Sequence, residues 1–141
     1  MPDTDLQRLR RLADGLIAAA SRGRSVERVG PFVALIAQSS DAYLMSLAVP
    51  VEAADDWRPM IEQLDAHFQA HRRTTRLEFF EELHPTLAPA LEAAGMVRQM
   101  TAPAMVCTPE SFRPPLRLLR RGEAGRGARD SRPEEAGDVE A

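Results

Sequence analysis

The stretch "RLEFFEELHPTLAPALEAAGM" (residues 76–96) decides the fold, because it reads as a strand, a turn, a short helix and a glycine stop. The apolar run RLEFF (76–80) has strand character. Proline carries no backbone N–H, and the first turn of a helix leaves its N–H groups without intrahelical partners. Pro85 and Pro89 are therefore tolerated in or just beyond the first turn of a helix that begins near Pro85 or Thr86. That start turns Leu87, Leu91 and Ala94 toward the core. Gly95 then closes the helix, since a residue without Cβ enters the left-handed conformation without strain.

Upstream of this unit, Trp57, Met60 with Ile61, Leu64 and Phe68 form one helical stripe, with Arg72 and Arg73 near its C-terminal end. Asp55 or Asp56 is placed to cap that helix, because a carboxylate accepts the exposed N–H groups and suits the helix dipole. Before it, PFVALIAQ (31–38) and AYLMSLAV (42–49) are apolar runs joined by Ser39, Ser40 and Asp41, the pattern of an antiparallel hairpin. VPVEAADD (49–56) follows as a loop. At the start of the chain, Leu6, Leu9, Leu12 with Ala13, Leu16 with Ile17, and Ala20 recur at helical spacing up to SRGRS (21–25). Downstream, MVRQM (96–100) and AMVCT (104–108), separated by Ala102 and Pro103, read as two short strands. A helix between two strands of one sheet implies a right-handed parallel crossover. The expected class is α/β (α+β), with a mixed, mostly antiparallel sheet flanked by helices.

From Leu116 the character changes. Residues 116–141 are rich in arginine and glycine, then acidic, and nearly devoid of apolar side chains after Leu119. Such a segment buries too little surface to offset the entropy of ordering. The expected organisation is a domain over 1–115 and a disordered tail over 116–141. Arg117, Arg120, Arg121, Arg126 and Arg129 make a basic cluster there, but without interleaved aromatics and with six acidic residues nearby it does not predict nucleic-acid binding.

Composition narrows the classes further. A chain of 141 residues is the size of one ordinary domain, and 44% hydrophobic residues suit a globular one. All 18 basic residues are arginine, which removes lysine Schiff-base chemistry. The lone Cys107 has no internal disulfide partner, in keeping with a cytoplasmic location. No stretch reaches the length of a membrane span. Asp14 and Gly15 interrupt LRRLADGLIAAAS (9–21), so it reads as a helix and not as a signal peptide.

The run from Leu47 to Glu110 resembles the second half of the GNAT superfamily fold of N-acyltransferases. More narrowly, residues 76–96 followed by PAMVCTPESFRPP (103–115) look like the N-terminal module of bacterial proteins with two tandem GNAT-like domains. The resemblance covers about Val26 to Pro115. It implies an acyl-CoA loop, Arg/Gln-x-x-Gly-x-Gly/Ala, whose backbone N–H groups cradle a pyrophosphate at a helix start. PVEAADDWRP (50–59) stands in that place and contains no glycine, so Glu52, Ala53, Ala54, Asp55, Asp56 and Trp57 make a degenerate loop. RRGEAGRGA (120–128) has the wrong spacing and no strand before it. The resemblance also implies a general-acid tyrosine four residues before the terminal glycine. Leu91 stands there, and leucine transfers no proton.

Other chemistry-bearing residues read as structural. Tyr43 falls in the hairpin as a core or edge-strand side chain, and Glu52 as a solvated carboxylate instead of a base. His67 and His71 sit four apart on a helix, without the glutamate that a zinc-peptidase pattern places after the first histidine, and are expected on the helix surface. His84 leads into the helix after it. Cys107 is expected as a small buried side chain, and Glu78, Glu81 and Glu82 as a solvated acidic rim. The expectation is a GNAT-like module with no catalytic residues, no metal and no cofactor of its own. Its partner is a second GNAT-like domain or a copy of itself. The alternatives are an active N-acetyltransferase using acetyl-CoA through an atypical loop, and an unrelated small interaction protein whose sheet lacks the splayed parallel pair. Since the tail resembles neither a linker to a catalytic domain nor its first strand, a truncated or frame-shifted longer gene is a further expectation.

Overall fold

Three helices and a three-stranded antiparallel sheet carry the chain in a computed structural model that describes residues 3–113. Helix α1 (Asp3–Ala20) precedes strands β1 (Arg24–Val29), β2 (Phe32–Ala37) and β3 (Leu47–Pro50). Helices α2 (Trp57–Ala70) and α3 (Leu87–Ala93) follow. Residues 3–100 belong to one unit that holds every one of these elements, and the chain divides after Met100. The expected tail, 116–141, lies outside the described residues.

Alternation along β2 and β3 sorts the core into two layers, because successive strand side chains point to opposite faces. Phe32, Ala34, Ile36 and Ala48 face α2 and α3, where Trp57, Ile61, Leu64, Phe68, Leu87 and Leu91 bury against them. Leu35, Leu47 and Val49 face the other way, onto Leu16, Ile17 and Ala20 of α1. With both faces covered, β2 and β3 are apolar at nearly every position, and their pairing (Phe32↔Pro50 to Leu35↔Leu47) is the hairpin read from the sequence. Ser46 is buried at the turn and its Oγ accepts the Ala37 N–H at 3.0 Å, which satisfies a donor that would otherwise be orphaned.

Four local readings are corrected. The second hairpin run does not begin at Ala42: Tyr43–Met45 is a single 3-10 turn, and Tyr43 is exposed there, neither core nor edge strand. A strand absent from the sequence reading, β1, pairs with β2 from Arg24↔Ala37 to Val29↔Phe32. The run RLEFF contributes only an isolated parallel bridge, Ala48↔Leu77, in which the Ala48 N–H donates to Arg76 O (2.8 Å) and the Glu78 N–H to Ala48 O (3.1 Å). Leu77 and Phe79 nevertheless pack against the core at strand alternation. Residues 96–100 and 104–108 hold no strand among the described residues. Two short runs gain little from pairing alone, and Pro103 removes a donor between them.

The helix ends follow local chemistry. Asp56 caps α2, its carboxylate accepting the Arg58 N–H at 3.0 Å. Arg72 ends that helix at φ 55°, with Arg73 N–H donating to Phe68 O and Arg72 N–H to Gln69 O, both at 2.9 Å. The same pair of bonds ends α3: Met96 N–H donates to Leu91 O and Gly95 N–H to Glu92 O, both at 3.0 Å, with Gly95 at φ 86°. Leu87 and Leu91 are buried as expected. Ala94, expected in the core, is exposed instead, because the helix has already ended and Met96 packs against the core after the turn.

Candidate functional site

The segment from Pro50 to Trp57 is where a strand hands over to a helix beside a parallel neighbour, the geometry that the resemblance associates with acyl-CoA. Two of its backbone donors are engaged, as is the one just after it. Val51 and Glu52 N–H groups both point to Pro31 O, at 2.8 and 3.4 Å, and the Arg58 N–H is capped by Asp56. No glycine opens the backbone to a phosphate. Glu52 extends to solvent and pairs with Arg28 at 2.8 Å, which suits a surface ion pair and not a base. Trp57 turns inward, with its indole 5.8 Å from the Phe32 ring and its Nε1–H donating to Thr86 Oγ1 at 2.8 Å.

Beside this segment, α2 and the end of α3 enclose an open cleft of about 590 Å³. Asp56, Arg58, Glu62 and Asp65 supply its charges, and Ala90, Ala93, Ala94, Gly95 and Met96 form the opposite wall. Three carboxylates face one guanidinium, which Glu62 already engages at 3.3 Å. Asp65 accepts from Gln69 Nε2 and Thr75 Oγ1, both at 2.5 Å. Each carboxylate beside a phosphate costs on the order of 1 kcal/mol even with water screening. The residues present do not fit a pyrophosphate.

Leu91, at the place of the general acid, is buried in the core, where it packs and offers no proton. His84 closes the end of β3. Its ring stands edge-on to Trp57 at 6.1 Å and its Nδ1 is buried without a hydrogen-bond partner. Burial pushes the His84 pKa below its ordinary 6.5, against a smaller upward pull from a hydrogen bond to the Pro50 backbone. The unfolded chain therefore takes up this proton first. Stability from this group is complete above pH 6.5 and declines as the pH falls from 6.5 toward the lower folded value. Unfolding free energies measured from neutral to mildly acidic pH are expected to show a shallower acid decline in His84→Gln than in the parent. Equal slopes would contradict a lowered His84 pKa in the folded state.

The remaining candidates fall into place. Glu78 pairs with the half-buried Arg76, and Glu81 and Glu92 with Arg98, so these carboxylates of the acidic rim are held in ion pairs. Cys107 was expected to be buried in a strand and is exposed. His67 and His71, expected on the helix surface, are half-buried and converge with Glu27 of β1. That approach was invisible in the sequence because β1 was.

No family model matches the sequence, and no curated protein matches it either. Among solved structures, the chain is similar to a GCN5-related N-acetyltransferase from Kribbella flavida, with a TM-score of 0.54 and 23% identity. The fold is GNAT-like. The match covers 83% of this chain and 53% of that one, so this chain spans about half the length of its GNAT neighbour. The isolated bridge between Ala48 and Leu77 has the parallel direction expected across the helical crossover, without the strand pair that was expected there. Among the described residues, no helix is long and apolar enough to cross a membrane.

Proposed function

We propose that this chain is a non-catalytic GNAT-like module, the structural or partner half of an N-acetyltransferase. It packs against a second GNAT-like domain or a copy of itself. The observation that carries the reading is the glycine-free backbone of residues 51–58, with the Val51, Glu52 and Arg58 N–H groups engaged, beside a cleft with three carboxylates. A scaffold that keeps the strand, the helix and a parallel bridge beyond it, while lacking the glycine loop and the general-acid tyrosine, supports a role in assembly. Val97, Met100, Met105, Val106 and Phe112 are exposed, and a series of large apolar side chains of this kind suits burial by a partner.

Calorimetry tests the reading. The purified chain is expected to bind acetyl-CoA more weakly than about 100 μM, roughly −5.5 kcal/mol, at low salt where any electrostatic attraction is strongest. A micromolar constant that substitutions in residues 50–59 abolish would instead assign this chain the acetyl transfer itself.

A further inference from the structure

Beyond the cleft, three metal-ligating side chains meet at the C-terminal end of α2. His67 lies in its last turn, His71 is its cap, and Glu27 reaches across from β1. One ligand atom from each lies within 4.8 Å of the other two. The spacing at its centre is that of an ion pair and equally that of two ligands to one ion. His67 Nε2 stands 3.5 Å from Glu27 Oε2, and it is buried without a hydrogen-bond partner. A good N–H···O bond is 2.7–3.2 Å, so 3.5 Å is long for one. Two ligands at about 2.05 Å from a tetrahedral ion lie roughly 3.3 Å apart, so the same spacing suits a shared metal.

One hydrogen bond sets the His71 tautomer. His71 Nδ1 lies 2.9 Å from the His67 carbonyl, a bond in which only the ring nitrogen can donate. That fixes the proton on Nδ1 and leaves Nε2 with its lone pair, the outer bond that metal-bound histidines usually make. The two imidazole rings are 4.6 Å apart between centroids. The carbonyl end of a helix carries partial negative charge, which favours a cation there. Glu27 belongs on this side of the sheet because its partner Ala34 faces α2.

We propose that Glu27, His67 and His71 bind a divalent first-row transition ion of the Zn²⁺ type, which clips the end of α2 to β1. Two imidazoles and a carboxylate suit such an ion, and water completes its coordination. The clip adds a long-range link between an early strand and a helix some forty residues later. It is independent of acyl-CoA chemistry.

The test uses the full chain carrying Cys107→Ser, which removes the exposed thiol as a competing ligand, after chelator treatment. Zn²⁺ titrated by calorimetry is expected to bind one-to-one and to raise the thermal midpoint reversibly. Co²⁺ is expected to give the visible absorption of a low-coordinate nitrogen and oxygen site. Glu27→Gln and His71→Ala, both away from the buried core, should each weaken Zn²⁺ by more than about tenfold, as loss of a ligand exceeds the effect of losing an outer-shell contact. Circular dichroism checks that both variants stay folded, which His67→Ala, at a more buried position, tests less cleanly. No one-to-one binding by the parent would overturn the site. So would equal affinity in the folded Glu27→Gln, His71→Ala double variant.

Discussion

Trp57→Ala is expected to destabilise the unit by about 3–5 kcal/mol, the range for removing a buried large aromatic. Trp57 is 5% exposed and stands where three elements meet. It opens α2, packs on Phe32 of β2, and holds Thr86 at the start of α3 through its indole N–H. Domains of this size have about 5–15 kcal/mol in total, so about a fifth or more of the stability is at stake. At roughly 4–8 °C per kcal/mol, the thermal midpoint should fall by at least about 12 °C. Trp57→Phe keeps most of the apolar area and loses the hydrogen bond, with an expected cost of about 1–2 kcal/mol. Thr86→Val removes the acceptor alone, and a double-mutant cycle with Trp57→Phe should show coupling, because both changes break one bond. A loss below about 1 kcal/mol for Trp57→Ala would mean that α3 does not dock on α2 as described. The residue aligned with a cofactor loop by resemblance is a structural hub.

At Gly95, the expected result is a loss of about 1–3 kcal/mol on substitution by valine, because a β-branched residue is strained at positive φ. The cause is isolated by the surroundings. A Cβ added at Gly95 meets nothing within 4 Å, so the Cβ itself crowds no neighbour. Asparagine enters the left-handed region far more readily, and Gly95→Asn should be much milder. Chemical denaturation of both variants decides the matter. Equal losses would show that the end of α3 is set by something other than the 86° φ of Gly95. Arg72 offers an internal comparison, since α2 ends by the same two hydrogen bonds with an arginine at φ 55°.

The site was legible only in its negative features. The missing glycine in residues 50–59 and the leucine at 91 are facts of identity, so the sequence showed that the glycines and the tyrosine implied by the resemblance do not stand at those positions. It did not show that the Val51 and Glu52 N–H groups turn to Pro31, or that Asp56, Glu62 and Asp65 gather around one cleft. Those depend on β1 and β2 bringing Pro31 to the end of β3, and on α3 folding back against α2. The one signal that would have found β1 was the Gly30 and Pro31 pair, a two-residue turn before an apolar run. Gly30 takes φ 56° there, and Val29 pairs with Phe32 across it. The strand itself, RSVERV, is half exposed and carries only two apolar residues, too weak a period to read.

By itself, the sequence determined the elements whose causes are local. The helical stripe of Trp57, Ile61, Leu64 and Phe68, the cap at Asp56 and the stop at Gly95 all appear where spacing and side-chain chemistry require, since a helix bonds residues four apart along the chain. Tertiary structure decided what depends on distant partners. It reduced RLEFF to a bridge at Leu77 and left residues 96–108 without strands. It also set the half-buried His84 beside Trp57 and carried Glu27 to His67. A strand acquires its hydrogen bonds only from another segment, and three ligands acquire a common centre only when separate elements meet.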